Sequence, residues 1–489
     1  MRNVKPAGRT LPVVTTAEAP LRSSFVEQGG IEAIPVDRRH GSPWQLLTTW
    51  TAPNLEFATV FVGVIAVAFF GLSFPVAIAA LVLGNALGGL THGILSSWGP
   101  RDGVAQMVLG RVAFGSRGNI VPAAINTVMA GIGWFAVNSV SGALALATLT
   151  GLPAWLTLLL IVVLEVAVAF VGHDLVQRFE RYASIALGIV FLLALIFALG
   201  SGHLAAGAGG KPGGAPFAGI TLAVSAAFGY AAGWNPYASD YTRYLPPRTS
   251  RRTLGFAAGF GNFLSCSLLM AAGAAAATVA GFNADDPTGS FTSTSVMPEV
   301  VGKLTLLAIA VGAVAANALN VYSGAMSFLA AGVRIPFALR RAIVAVAFGA
   351  IGFVVALTAL PNAGEAYENF LLVIAYWIAP WLGVLLADRA ARRGTRIAAF
   401  LADDARYTNR AGLIAFLVAL VVSVVLFSNQ SAYVGPLAGS VGDLTPFVGF
   451  TLGAVLFVAL ARVLPPKLGA SLPADGYEEP VHVDAAARA

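Results

Sequence analysis

Apolar runs of membrane-spanning length recur along this chain, separated by short polar stretches. They fall near 46–70, 74–96, 119–148, 152–172, 182–200, 218–239, 254–281, 303–331, 338–359, 365–386, 411–427 and 444–464. A helix needs roughly 20 apolar residues to cross a hydrocarbon core about 30 Å thick. The pattern therefore predicts an all-α integral membrane protein of twelve transmembrane helices, with the eleventh the shortest. Composition agrees: of 489 residues, 57% are hydrophobic and 11% charged, against about 25% charged in soluble domains. Too little polar surface is left to coat a water-soluble body of this size. The first 45 residues are polar, contain Pro20, Pro35 and Pro43, and lack an early apolar core, so no signal peptide is expected.

Two of the runs are interrupted. The first carries Trp50-Thr51-Ala52-Pro53-Asn54 and the sixth Gly233-Trp234-Asn235-Pro236-Tyr237. Proline has no N–H and clashes with the preceding turn, so each helix should kink or unwind there. Pro236 lies 183 residues after Pro53, and the same shift carries spans two to five onto spans seven to ten. Five helices thus superpose on five. An odd number per unit places the second unit upside down in the bilayer, as in the inverted repeats of secondary transporters, whose sites lie beside discontinuous helices. The expected organisation is a tail at 1–45, a first repeat at 46–200, a second at 218–386, two further helices at 411–464 and a tail at 465–489.

Charge sets the orientation. Of the 29 Lys and Arg residues, all but Lys211 and Lys303 fall on one side of this ladder of spans. Basic residues favour the cytoplasmic side, so both termini are expected in the cytoplasm of a multi-pass cell-membrane protein. The basic loops are then topology signals that face anionic lipid, and no nucleic-acid partner is implied. The single Cys266 excludes an internal disulfide.

Polar residues inside apolar helices are the candidate chemistry. Trp134 and Asn138 share one face of span three, with Gly131 and Gly133 thinning the helix beside them. Asn317 in span eight lies 183 residues beyond Trp134, and Asn320 comes three residues later. A carboxamide can pair with two edges of a heterocycle and an indole offers a face for stacking. Together they point to a polar and aromatic binding site, although a lone Asn in a span more often ties two helices together. The acids within spans are Glu56, Glu165 and Asp240. Intramembrane acids are functional candidates by default. Glu56, three residues after the first break, is the stronger candidate for carrying a coupling cation. Asp240 is the second, with an i, i+3 pair to Arg243 as its structural alternative. No nucleotide-binding loop is present, and His40, His92, His173, His203 and His482 match no metal spacing. Neither an enzyme, a cofactor nor a metal centre is expected, and transport would draw on an ion gradient.

At these residues the chain resembles the nucleobase:cation symporter-1 family, in particular its purine–cytosine permease branch. The resemblance rests on Trp50-Thr51-Ala52-Pro53-Asn54, Gly115-Ser116-Arg117-Gly118-Asn119, Gly133-Trp134 with Asn138, the run from Gly233 to Pro246, and Ala316-Asn317 with Tyr322-Ser323. It implies a LeuT-like five-plus-five inverted repeat and coupled import of a nucleobase or related heterocycle. It also implies that aromatics on spans three and six sandwich the base. These would be Trp134 and Trp234, or Tyr230 if the stacking ring sits earlier. The span-three and span-eight amides would be Asn138 and Asn317, and a span-one contact would be Thr51 or Asn54. Sodium-coupled relatives carry hydroxyls on span eight where this chain has Val311 and Gly312. Backbone carbonyls alone make a poorer Na⁺ site, which favours H⁺ as the coupling cation. Open alternatives are a membrane sensor binding a similar ligand and a Na⁺-coupled hydantoin or allantoin transporter of the same family.

Overall fold

The computed structural model describes residues 30–171, 173–205, 216–284, 286–333, 340–392, 398–401 and 407–467. Most of both tails, and the basic residues Lys211 and Arg334, lie outside them. By length and composition eight helices are able to cross a membrane, and the bent pair at the start makes a ninth. The long run Val344–Ala391 holds two helices, Arg340–Ala359 and Ala363–Ala391, joined by a 3-10 turn at Leu360–Asn362. The shorter apolar helices Ala154–Val168 and Ile185–Ser201 complete the set. These are the twelve spans the hydropathy pattern predicts, here numbered 1 to 12. Among the described residues there is no strand beyond isolated bridges.

The two interruptions are unequal. Span 1 runs Gln45–Thr51, turns through Ala52–Asn54 and resumes at Phe57–Val64, with a bend of 63° between its halves. Span 6 runs Pro216–Ala232, passes a turn at Gly233 and Trp234 and a 3-10 turn at Asn235–Tyr237, and ends in Ala238–Thr242. It remains one run, Phe217–Thr242, without a comparable bend. The difference lies in the residues just after each proline. Glu56 is fully extended (φ −149°, ψ 170°) and redirects the chain, whereas Tyr237 and Ala238 stay in the helical region.

Small residues set the packing. Spans 2 and 7 meet along Gly89, Gly93, Gly255 and Gly259, where a Cβ on Gly89 would lie 2.8 Å from the Gly259 carbonyl oxygen. Lipid offers no hydrophobic drive for helix association, so such close backbone contact supplies van der Waals attraction instead. Span 8 is almost wholly buried and packs on span 3 and on the break in span 1. Leu160, Val163 and Leu164 of span 4 and Ile189, Leu192 and Ile196 of span 5 face outward, as a lipid-facing surface requires. Spans 11 and 12 pack on each other and on span 10.

Candidate functional site

The break in span 1 leaves carbonyls without helical partners, and local side chains take them up. Asn54 Nδ2 donates to the Trp50 carbonyl at 2.9 Å, and the Thr59 hydroxyl donates to the Asn54 carbonyl at 2.6 Å. This satisfies backbone that the bilayer cannot hydrate. Asn54 is then fully engaged. Its nitrogen also reaches Ser265 Oγ at 3.0 Å and Asn262 Oδ1 at 3.3 Å, and its oxygen accepts from Trp234 Nε1 at 2.8 Å. Thr51 donates to the Leu47 carbonyl at 2.7 Å. Both expected span-one contacts thus spend their polar groups on the protein, and Asn54 fixes the Trp234 ring.

Glu56 caps the resumed helix and is 1% exposed. Its Oε1 lies 3.0 Å from the Tyr230 hydroxyl, which contacts Thr59 Oγ1 at 2.5 Å. It makes no ion pair among the described residues. Span 3 enters the site through a π-helical turn, Met129–Trp134, a distortion often found at functional sites. Trp134 meets Tyr230 edge to face at 5.4 Å and Phe370 at 5.0 Å. A Cβ on Gly233 would lie 2.9 Å from Trp134 Cζ2, so the glycine at the span-6 turn admits the indole. Trp234 packs instead with Trp50 and Tyr237, at 5.9 and 5.5 Å. The span-6 ring touching Trp134 is therefore Tyr230.

The amides converge. Asn138 Nδ2 donates to Asn317 Oδ1 at 3.0 Å, and Asn320 Nδ2 donates to the same oxygen at 3.1 Å. Turned over, the Asn138 amide donates to the two Glu56 oxygens at 3.3 and 3.2 Å and accepts from Asn320. Asn138 therefore stands between Glu56 and Asn317, within hydrogen-bonding distance of both. Asn317 Nδ2 donates to the Phe135 carbonyl at 2.9 Å and to Ser139 Oγ at 3.3 Å, and Ser139 lies 2.6 Å from Glu165 Oε2.

Asp240 is elsewhere. Its Oδ1 accepts from the Gln106 backbone N–H at 2.8 Å, near the end of span 6. No close ion pair to Arg243 is found among the described residues, although the two charges still bear on each other. Arg243 caps the short helix Ala238–Thr242 and turns away, donating to the Gly30 carbonyl at 2.9 Å and to the Tyr244 and Tyr322 hydroxyls at 3.0 Å. Sequence alone assigns no role to Thr59, Ser139 or Tyr237, and marks Glu165 only as an acid within a span. Ser139 stands next to Asn138 in the chain, and a hydroxyl beside a buried amide is the available signal.

A helical membrane bundle whose interrupted first span meets buried amides, aromatic rings and a carboxyl is the architecture of a secondary transporter. The sequence profile of a family described as permeases for cytosine/purines, uracil, thiamine and allantoin matches residues 33–449. The chain belongs to that family, the purine–cytosine permeases among the nucleobase:cation symporters. It is a multi-pass membrane permease and not an enzyme. A Bacillus subtilis relative that carries a purine-cytosine permease name is 29% identical over 456 residues, spanning 89% of this chain and 96% of that one. A purine-cytosine permease of Saccharomyces cerevisiae is 27% identical, over 90% of this chain and 86% of that one. Among solved structures, a nucleobase-cation-symport-1 family transporter with bromovinylhydantoin bound superposes with a TM-score of 0.70 at 20% identity. The match covers 90% of this chain and 97% of the other. That likeness speaks for the LeuT-like fold.

Proposed function

We propose that this permease imports a nucleobase, cytosine or a purine, together with a proton. The relatives' names support the substrate class, and the site's chemistry suits a flat heterocycle. Trp134 offers a ring for stacking, Trp234 a second ring held by Asn54, and Asn138 and Asn317 offer donor and acceptor groups for its edge. Both termini face the cytoplasm in this reading, in keeping with the basic loops. Spans 1–5 and 6–10 form the inverted repeat, in keeping with the matched interruptions.

The observation that carries proton coupling is a count of hydrogens around Glu56. Three contacts run in series: Glu56 to Tyr230 at 3.0 Å, Tyr230 to Thr59 at 2.5 Å, and Thr59 to the Asn54 carbonyl at 2.6 Å. Each needs one hydrogen, and the two hydroxyls supply one apiece. A proton on Glu56 supplies the third. Gain and loss of that proton beside Asn138 links the cation to the group that reads the base. The packing of span 8 on span 1 points the same way. A Cβ on Gly312 would lie 3.3 Å from Glu56 Cβ and closer still to the Leu55 carbonyl oxygen, so a hydroxyl-bearing side chain has no room there.

The test is Glu56→Gln in proteoliposomes. The amide keeps donor and acceptor but cannot titrate. One charge moved across 100 mV is worth about 2.3 kcal/mol, or roughly a 50-fold accumulation of base. Wild-type protein should approach that ratio under a potassium diffusion potential. Glu56→Gln should exchange labelled base between equal pools yet fail to accumulate it. Accumulation by Glu56→Gln equal to wild type would remove Glu56 from the coupling.

A further inference from the structure

Glu165 is a fully buried carboxyl on span 4, a helix whose neighbouring residues face outward. One of its oxygens, Oε1, has no hydrogen-bond partner, and the other meets Ser139 Oγ at 2.6 Å. Ser139 also lies 2.7 Å from the Phe135 carbonyl. A hydroxyl has one hydrogen, and two short contacts to oxygen acceptors need two. A proton on Glu165 completes the set: Glu165 donates to Ser139, and Ser139 donates to Phe135. Ser139 then receives Asn317 Nδ2 through its remaining lone pair, at 3.3 Å. The same carbonyl of Phe135 accepts from Asn317, so both partners that orient this amide are governed by the Ser139–Glu165 contact.

We infer that Glu165 is a second proton-binding carboxyl of the transport site and a positioning residue for Asn317, acting through Ser139. The chain Glu165–Ser139–Asn317–Asn138 reaches Glu56: with Asn138 Nδ2 on Asn317 Oδ1, the Asn138 oxygen lies 3.2 and 3.3 Å from the Glu56 oxygens, so a proton on Glu56 donated to it makes one hydrogen-bonded path with a carboxyl at each end. When Glu165 gives its proton to water, Ser139 turns its hydrogen to the carboxylate and leaves Phe135 to Asn317 alone. The new charge strengthens the hold on the donor end of Asn317, and its oxygen is fixed toward Asn138 and Asn320. With the proton restored, Asn317 is held less tightly and can turn its amide to suit the base. Two carboxylates in one low-dielectric site do not ionise independently, so the proton on one end weighs on the other. Span 3 presents Ser139 to Glu165 and span 8 presents Asn317, while Glu56 is the titratable group whose charge bears on it. Spans 5 and 9 contribute no ion pair to it among the described residues.

The inference rests on the proton-coupled reading for its pH arm alone. The experiment uses the full chain in proteoliposomes, with a competition panel of unlabelled bases against one labelled base, repeated across external pH. Glu165→Gln keeps a neutral donor and acceptor and should preserve the rank order of bases, while the pH profile of uptake becomes shallower by one titrating group. Glu165→Leu strands the Ser139 hydroxyl and should change the rank order, with affinity for the preferred base falling about tenfold. Rank order and pH profile both matching wild type in either correctly inserted variant would overturn the inference. A wild-type protein that is insensitive to pH and driven by Na⁺ would instead sink the proton reading, and the rank-order arm with Glu165→Leu would still decide the role of Glu165. A Glu165→Leu protein that fails to insert leaves the decision to the Glu165→Gln pH profile.

Discussion

Replacing Trp134 and Asn138 separately should produce two different kinds of defect. Trp134 is 6% exposed, and it presents its indole beside Tyr230, Phe370 and the Gly233 turn. Stacking on an aromatic ring contributes about 1–3 kcal/mol per base and tolerates base identity, because every base has a π-face. Trp134→Ala should therefore weaken all bases in parallel, by roughly one to two orders of magnitude, and Trp134→Phe should retain much of the binding. Asn138 has a different task. It stands between Glu56 and Asn317, and its carboxamide offers both a donor and an acceptor. A base of the wrong pattern leaves a buried group unpaired at about 1–3 kcal/mol, so Asn138→Ala should reorder the bases rather than scale them. The assay is competition against one labelled base, on variants shown by surface labelling to reach the membrane. Normal binding by Trp134→Ala, or an unchanged rank order in Asn138→Ala, would refute this arrangement of the site.

Packing and charge give two further expected outcomes. Gly312→Ala would push a methyl group into the backbone of the span-1 break, where Leu55 cannot yield. Overpacking costs about 1–3 kcal/mol, so the melting temperature of the detergent-solubilised protein should fall, and an unchanged value would show that the break is softer than its contacts imply. Reporter fusions at either terminus should report the cytoplasm, and an external signal would overturn the orientation drawn from the basic loops.

Much of this architecture is legible in the sequence because a bilayer simplifies the code. Hydropathy places most spans within a few residues, from Phe74–Ser96 to Thr445–Val463, while the fifth helix, His173–Ser201, begins nine residues before its apolar run because its first turns are polar and charged. Proline marks both interruptions, although Pro380 sits inside the unbroken helix Ala363–Ala391, so a proline alone does not decide where a span opens. The offset of 183 relates Asn317 to Trp134 and so suggests a common depth, and Asn138, one turn from Trp134, meets Asn317 at 3.0 Å. The hidden part depends on which way a side chain turns. Asp240 and Arg243 are correctly spaced for a pair, yet each finds a better partner in another segment, Gln106 for one and Gly30 with Tyr322 for the other. Asn54, one of two span-one candidates, closes the broken helix and holds Trp234, an arrangement that no sequence pattern shows. Glu165 reads as one acid in an apolar helix. Its tie to the site runs through Ser139, and no spacing rule connects residues on different spans.

Whether protons drive uptake is decided by imposed gradients. Purified protein in proteoliposomes receives an inward pH gradient with choline as the external cation, then labelled cytosine or adenine. At least one of these bases should accumulate above equilibrium, and the accumulation should collapse on adding a protonophore. Accumulation that appears only with an inward Na⁺ gradient, and ignores the protonophore, would contradict proton coupling through Glu56.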